Sequence, residues 1–361
     1  MAAAEAEAFR VLPTYIRRLK IANPGSVADI GTETFGEGRV RFKNLFLSFG
    51  ATHIGFRMIR DVIVLNKRKM GGQFKLVLLT ACGEDANFKV YPLAFGIVLM
   101  ENLDSWLWFL KKLEELIPDT SKLCIVSPLR GPVRQAKKMV YPFSHDWICL
   151  KHLSSYVDWR FGNTELGELV SAAGKAYTSW HFTELFQQIN DLSKPCWEYL
   201  KNLGVKHWCR AHSEVMCYDM LSTTMDEQVG VDLCDFVGLD IIKLVEGILS
   251  MMCRWYNSRR TEANSHIGVL TLGVMRLLRL NQISCSCKIY DKLGFPCGHA
   301  IMGADRLGIP YETLVSEFFH TFAWKESYRC FINPISPTSE THCNPITALE
   351  PPLLPLTCRY L

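Results

Sequence analysis

The sequence lacks a long hydrophobic run. About 18 consecutive apolar residues are needed to cross a bilayer, and the nearest candidate among the 361 residues, Val90 to Met100, is too short. No membrane partner is expected. The opening MAAAEAEAFRVL has no basic region leading into an apolar one, so no secretory leader is expected, and the fourteen cysteines are expected as reduced thiols of a soluble intracellular protein. An excess of one charge is missing too. The formal net charge is +4, which argues neither for nor against nucleic acid, because a binding face depends on clustering rather than on the total. Basic residues cluster only briefly, at Lys67 to Lys69, Arg134 to Lys138 and Arg254 to Arg260, and none of these is a nuclear import signal by itself. Internal repeats are absent, which excludes a solenoid. What is present, 48% hydrophobic residues with aromatics throughout, gives a globular chain with a sizeable core and length for two or three domains.

The stretch CSCKIYDKLGFPCGHA, Cys285 to Ala300, holds three cysteines and a histidine as Cys-x-Cys, a nine-residue gap, and Cys-x-His. Three thiolates and one imidazole are the soft, redox-inert donor set of a tetrahedral structural zinc site. Cys285, Cys287, Cys297 and His299 are the expected ligands. Each pair is separated by one residue, tighter than a common finger knuckle, so the pairs require extended or sharply turned backbone, with Gly294, Pro296 and Gly298 as turn residues.

Periodicity predicts strands at Asp61 to Leu65, Phe74 to Ala81 and Val90 to Leu99, a helix over Leu103 to Ile117 behind an Asp104 or Ser105 cap, and a strand at Leu123 to Ser127. A helix at Gly131 to Val140 and a short strand at Asp146 to Leu150 follow. This is a mixed α/β sheet with helices packed against it. From His152 to Met216 the pattern becomes helical and rich in Trp, Phe and Leu, which reads as a helical insertion. Ile241, Leu244, Val245, Ile248, Leu249 and Met252 form an amphipathic stripe ending near Asn257. After His299 a helix is expected to run to Phe322, and the Pro-rich segment Pro334 to Pro355 is expected to be an irregular or disordered tail.

Particular residues now join that order: Phe42 to Phe46, the run DVIVLNKRKMGGQFKLVLLTACGEDANFKVYPLAFGIVLMENLDSWLWFL, CLKHL at Cys149 to Leu153, the cysteine-rich stretch, and Phe-Ile-Asn-Pro-Ile at Phe331 to Ile335. Together they resemble the Mutator-like (MULE) transposases of plants, from about residue 8 to residue 336, and the cysteine-rich stretch looks like the SWIM zinc finger that follows the transposase domain there. The resemblance implies an RNase H-like mixed sheet with a helical insertion, followed by a small zinc finger. It divides the chain into an N-terminal linker or helical segment (1–45), the transposase domain (46–262, insertion about 153–216), the finger region (270–322) and a Pro-rich tail (323–361). The family carries DNA-binding segments upstream, whereas here LPTYIRRLKIANPGSVADI looks like the linker before the catalytic domain, so a sequence-specific DNA reader is not expected within these residues. Thr271 to Cys285 is also shorter than in the family, and Leu277 to Ile283 is expected to furnish what remains of a strand edge beside the finger.

The resemblance further implies an Asp, Asp, Glu trio holding two divalent metals, since paired hard cations need anionic oxygen ligands to activate the attacking oxygen and stabilise the leaving one. The sequence departs from that pattern. Asn66 stands at the first Asp, Pro128 at the second, and Glu227, in YDMLSTTMDEQ, at the glutamate. One carboxylate beside Lys67 and Arg68 does not hold two Mg²⁺ ions, so catalysis and Mg²⁺ are not expected. Asp61, at the far end of its strand, and Asp85, in a loop, are poor substitutes. Cys149-x-x-His152 matches a family motif and is a weaker candidate metal pair; the alternative is a buried cysteine and a surface histidine at a helix start. Cys209-x-x-His212 repeats the spacing without support from the family pattern. The expected function is a transposon-derived nuclear protein, a catalytically inactive transposase-like domain carrying a zinc-binding SWIM finger that contacts DNA or a protein partner. The alternatives are an active DDE-type transposase using Glu227, and an interaction scaffold presenting Trp159, Trp180, Trp197 and Trp208.

Overall fold

A computed structural model describes residues 2–36, 38–223, 227–281, 289–335 and 349–353. The chain opens with α1 (Ala2–Ala22), where Phe9, Leu12, Ile16 and Leu19 recur at helical spacing and are all buried. A hairpin follows, β1 (Val27–Phe35) and β2 (Arg39–Ser48), then a short helix α2 (Gly50–Phe56). The hairpin was not anticipated from the sequence. It extends the sheet, because Asn44 to Leu47 of β2 pair with Phe95 to Val98, and residue 45 therefore lies inside a strand.

Three strands run as an antiparallel meander, β3 (Val62–Gly71), β4 (Leu76–Glu84) and β5 (Val90–Val98). Helix α3 (Leu103–Glu114), capped by Asn102 accepting from Ser105 N at 2.8 Å, leads to β6 (Cys124–Ser127). Helix α4 (Pro132–Val140) leads to β7 (His145–Ile148). Both β6 and β7 pair in parallel, and the order across the sheet is β1-β2-β5-β4-β3-β6-β7. Strand β3 is half-central. Ile63 and Leu65 join the core under α1 and α3, while Val62 and Val64 face a second core built with the helical insertion, as alternation along a strand requires.

The insertion comprises α5 (Leu150–Phe161), α6 (Thr164–Lys175), α7 (Ser179–Leu192) and α8 (Lys194–Leu203). A short α9 (Glu227–Asp232) precedes α10 (Ile241–Ser265), which carries the anticipated stripe but continues past Asn257. The reason is Arg259, which is buried and donates to Val90 O and to Tyr328 Oη, tying α10 to the start of the interior strand β5.

Two expectations about the C-terminal third are corrected. Leu277 lies in α11 (Leu272–Asn281), not in a strand, because Val274 and Leu278 bury one helical face in the insertion core; residues 282 and 283 lie outside the described residues. After α12 (Ile289–Leu293), the helix α13 (Gly298–Leu307) stops at Gly308 in a left-handed conformation (φ 65°), so no continuous helix reaches Phe322, and α14 (Thr321–Ser327) is separate. The tail is ordered where it is described. Asn333 N donates to Asn23 Oδ1 at 2.7 Å while Asn23 Nδ2 donates to Asn333 O at 2.9 Å, and Ile332 is buried. Glu350 then pairs with β2 through Phe42 N to Glu350 O (3.0 Å) and Glu350 N to Val40 O (2.9 Å). Residues 336–348 and 354–361 lie outside the described residues.

Candidate functional site

The carboxyl ends of three parallel strands create the candidate site. The β3–β6 register, Val62 with Cys124 through Val64 with Val126, continued by two residues brings Asn66 level with Pro128. The β6–β7 register ends at Ser127 with Ile148, and the bond from Cys149 N to Ser127 O (2.8 Å) carries it one step further, level with Pro128. Asn66, Pro128 and Cys149 thus form one row.

Glu227 reaches the same end through the chain that precedes it. Leu150 N donates to Leu221 O at 2.9 Å, Thr223 N donates to Cys149 Sγ at 3.2 Å, and Thr223 Oγ1 lies 3.4 Å from His152 Nδ1. Glu227 then begins α9, with Lys151 Nζ 2.6 Å from its Oε1. From β3 the Arg68 guanidinium lies against Gly230 of α9, where a Cβ would come within 1.5 Å of Nη2, so a larger residue there would push the guanidinium aside. Asp232 closes the arrangement by accepting from Trp255 Nε1 at 2.7 Å and Arg254 at 2.9 Å.

The chemistry available here follows from the charges. Asn66 Oδ1 is turned back to the Lys67 N–H (2.9 Å), Pro128 supplies no side-chain ligand, and Glu227 is ion-paired. Lys67 pairs with Glu101 on the opposite face of β3. Among the described residues no group of three or more His, Cys, Asp or Glu side chains is positioned to hold a metal. Asp61 precedes β3, at its other end, and burial raises its carboxyl pKa above the ordinary value. Asp85 is wholly buried and structural: its carboxylate accepts from Asn87 N (2.9 Å), Lys89 N (2.8 Å) and Tyr328 Oη (2.8 Å).

Cys149 and His152 form a polar clamp. Burial alone would push the Cys149 thiol up, but hydrogen bonds from His152 and Thr223 outweigh it and hold the thiol below its ordinary value. The hydrogen bond to Cys149 correspondingly raises His152. Cys209 and His212 do not join them: Cys209 Sγ donates to Ala173 O at 3.5 Å, and the His212 ring meets the edge of Phe182 at 4.8 Å. Burial pushes the Cys209 thiol up to about 11, against its use as a thiolate ligand.

The finger is anchored elsewhere. Gly294 turns the chain with φ 73°, its N–H bonding Tyr290 O (3.0 Å) and its carbonyl accepting from Ser316 N (2.7 Å). Phe295 is buried against Phe319 and Phe88, near the start of β3 rather than its end. Cys297 is buried at the N-cap of α13, and His299 is exposed on the first turn; Gly298 opens that helix instead of making a turn. Cys285 and Cys287 lie outside the described residues. Three thiols and an imidazole suit zinc chemically, and Cys297 and His299 stand one residue apart at the start of α13.

The basic clusters are largely engaged in structure. Arg134 pairs with Asp146 (2.5 Å), Lys137 is buried against Ser144 O (2.5 Å), and Arg259 lies in the core. The four insertion tryptophans divide: Trp208 is fully buried and Trp197 half-buried, while Trp159 and Trp180 are 74% and 71% exposed. Beside Trp159, Arg130 stacks on Tyr156 at 3.9 Å and Arg160 lies 4.8 Å from the Tyr199 ring centre. Sequence reading missed this Arg and aromatic surface, which begins two residues after Pro128; the helical spacing of Tyr156, Trp159 and Arg160 in α5 was its trace.

Among the described residues no helix is long and apolar enough to cross a membrane. Residues 69–156 match the family model of the MULE transposase domain and residues 269–302 that of the SWIM zinc finger. The protein FAR1-RELATED SEQUENCE 6 of Arabidopsis thaliana is 25% identical over 150 residues, 41% of this chain and 20% of that protein, so the chain spans about a fifth of that relative's length. The resemblance to plant MULE transposases with a C-terminal SWIM finger is thereby shown, and the finger implies zinc. Pro128, Cys149 and His152 fall inside the MULE match; Asn66 and Glu227 fall outside it.

Proposed function

We propose that this chain is a transposon-derived nuclear protein whose RNase H-like domain has lost strand-cleavage chemistry and serves as a DNA-contacting scaffold braced by a zinc-bound SWIM finger. Support for the RNase H-like reading is the three-strand meander whose first strand, β3, pairs in parallel with β6, which pairs in parallel with β7, each of the two reached over a helix. The observation that carries the loss of chemistry is the row of Asn66, Pro128 and Cys149 with Glu227 ion-paired to Lys151. A two-metal displacement needs bridging carboxylates, and this row supplies none. Zinc, held by Cys285, Cys287, Cys297 and His299, would cross-link the segments that flank α12 and contribute folding free energy rather than catalysis.

Contact with DNA rests on Arg130, Arg160, Tyr156 and Trp159, which combine charge for phosphates with flat rings for bases. Fluorescence anisotropy with a labelled single strand tests it. Affinity should fall steeply with salt and drop about tenfold or more in the Arg130→Glu, Arg160→Glu double variant, a change equal to about 1.4 kcal/mol. Binding that ignores both salt and the double variant would rule this surface out. A second reading, a protein-interaction scaffold, is favoured by the exposure of Trp180, which lies outside that cluster. Trp180→Ala that abolishes partner capture while leaving DNA affinity unchanged would select it.

A further inference from the structure

Two buried cysteines meet at the root of the helical insertion. Cys124, the first residue of β6, lies on the face of the sheet that packs against the insertion, and Cys217 lies in the segment by which the chain leaves it. Their sulfurs are 3.1 Å apart although the residues are 93 positions apart in sequence. Bonded sulfurs stand about 2.0 Å apart, so closure needs a movement of about 1 Å. The other contacts of Cys217 Sγ are long, 3.7 Å to Ser213 Oγ and 3.9 Å to Val215 O, and neither holds it away from Cys124. Cys149 and Cys209, by contrast, are engaged by Thr223 and by Ala173 O. Among the described residues no third His, Cys, Asp or Glu joins the pair in a group that could hold a metal.

The pair is approached from the side of Cys217. Glu214 and Met216, just before it, are exposed, and Val215 forms part of the wall of a cavity of about 550 Å³ that His145 and Asp146 of β7 also line. His145 is the register partner of Cys124, so that cavity lies beside both thiols. Burial and the adjoining Cys217 hold the Cys124 thiol well above its ordinary value, which keeps it protonated.

We propose that Cys124 and Cys217 are a reversible redox site, oxidised by a peroxide to a disulfide. The Cys217 sulfur takes one oxygen from hydrogen peroxide, giving a sulfenic acid and releasing a water. The Cys124 sulfur then attacks that sulfur, and the hydroxyl leaves with the Cys124 proton as a second water. Two electrons pass from the thiols to the peroxide, and a dithiol reductant restores both thiols. The disulfide encloses α4, β7 and α5 to α8 in one covalent loop, which clamps the insertion at its root. A loop of this length removes much entropy from the unfolded chain.

The test treats the full, zinc-loaded chain with hydrogen peroxide under native conditions, blocks the remaining thiols and maps the peptides by mass spectrometry. A linked Cys124–Cys217 pair is expected, lighter than the two reduced peptides by two hydrogens, and dithiothreitol should reverse it. Zinc content measured alongside keeps oxidation of the finger apart from closure of this pair. The urea midpoint of the oxidised chain should exceed that of the reduced chain by about 1 M, a rise absent in Cys217→Ser. The peptide map requires no variant, so it decides the question even if that substitution impairs folding. Recovery of Cys124 and Cys217 as unmodified thiols would overturn the proposal, and so would a link that forms only after denaturation in urea.

Discussion

Replacing Phe295 with alanine should loosen the finger and the helical insertion together. Phe295 is 4% exposed, and its ring meets Phe319 at 5.5 Å and 84° and Phe88 at 6.5 Å and 80°, both edge-on. Truncating a buried phenylalanine costs about 3–5 kcal/mol, of which each aromatic pair accounts for about 0.5–1.5 kcal/mol beyond its buried area. The ring also borders the cavity above Arg60, so its neighbours can relax and water can enter, which places the expected loss near 3 kcal/mol. That is a large share of a domain's usual stability of about 5–15 kcal/mol. Finger residues Leu293, Phe295 and Cys297 share one core with Leu166, Val170, Phe182 and Trp208 of the insertion and its following turn, so the damage is not confined to the finger. Urea unfolding followed by tryptophan fluorescence measures it, with and without a zinc chelator. In the native chain chelation should lower the midpoint, because metal free energy is transmitted through Phe295; in Phe295→Ala the midpoint should start lower and respond less to chelator. A stability loss below about 1 kcal/mol, with an undiminished response to chelator, would refute the docking of the finger on the insertion.

Other consequences are as direct. Glu227→Gln should change stability by less than about 1 kcal/mol, since the pair with Lys151 joins side chains 61% and 55% exposed; a larger loss by denaturant titration would mean that Glu227 has a structural role in α9. Cys149→Ser should return the His152 titration toward its ordinary value of 6.5, because the Cys149 hydrogen bond is what raises it; an unmoved NMR titration would break the proposed clamp. Burial lowers the His145 pKa from 6.5, against the pull of the Lys206 carbonyl. Its unfolded form therefore takes the proton first, and its contribution to stability is complete above about 6.5 and declines as pH falls through the folded value. His145→Gln should flatten that slope in urea midpoints, and an unaltered slope would contradict the assignment.

Much of the fold was legible because the central strands and α10 carry strong periodicity. Val90 to Val98 is buried on every residue, and Ile241, Leu244, Val245 and Ile248 trace one helical face. The β1–β2 hairpin was not legible in the same way. Its first strand is only partly buried and polar at Thr32 to Thr34, so alternation is weak, and the glycines Gly36 and Gly38 were its clearest trace. Tertiary contacts decided the rest. Leu277 sits in a helix because Val274 and Leu278 pack on the insertion, and α10 runs on because Arg259 finds acceptors, Val90 O of β5 and Tyr328 Oη beyond α14, that are distant in sequence. At the candidate site, residue identity alone exposed the missing carboxylates at Asn66 and Pro128. What the sequence could not reveal was the geometry that ties Glu227 to Lys151 and Arg68 to Gly230, since both depend on strands and helices far apart in the chain.

Metal content tests the account most directly. The purified chain, dialysed to equilibrium against micromolar Zn²⁺ with millimolar Mn²⁺ and then subjected to elemental analysis, should retain one zinc per chain, lost in Cys297→Ser, and no manganese above the buffer level. Retention of two manganese ions per chain, abolished by Glu227→Ala, would contradict the claim that the strand-end site has lost its metals.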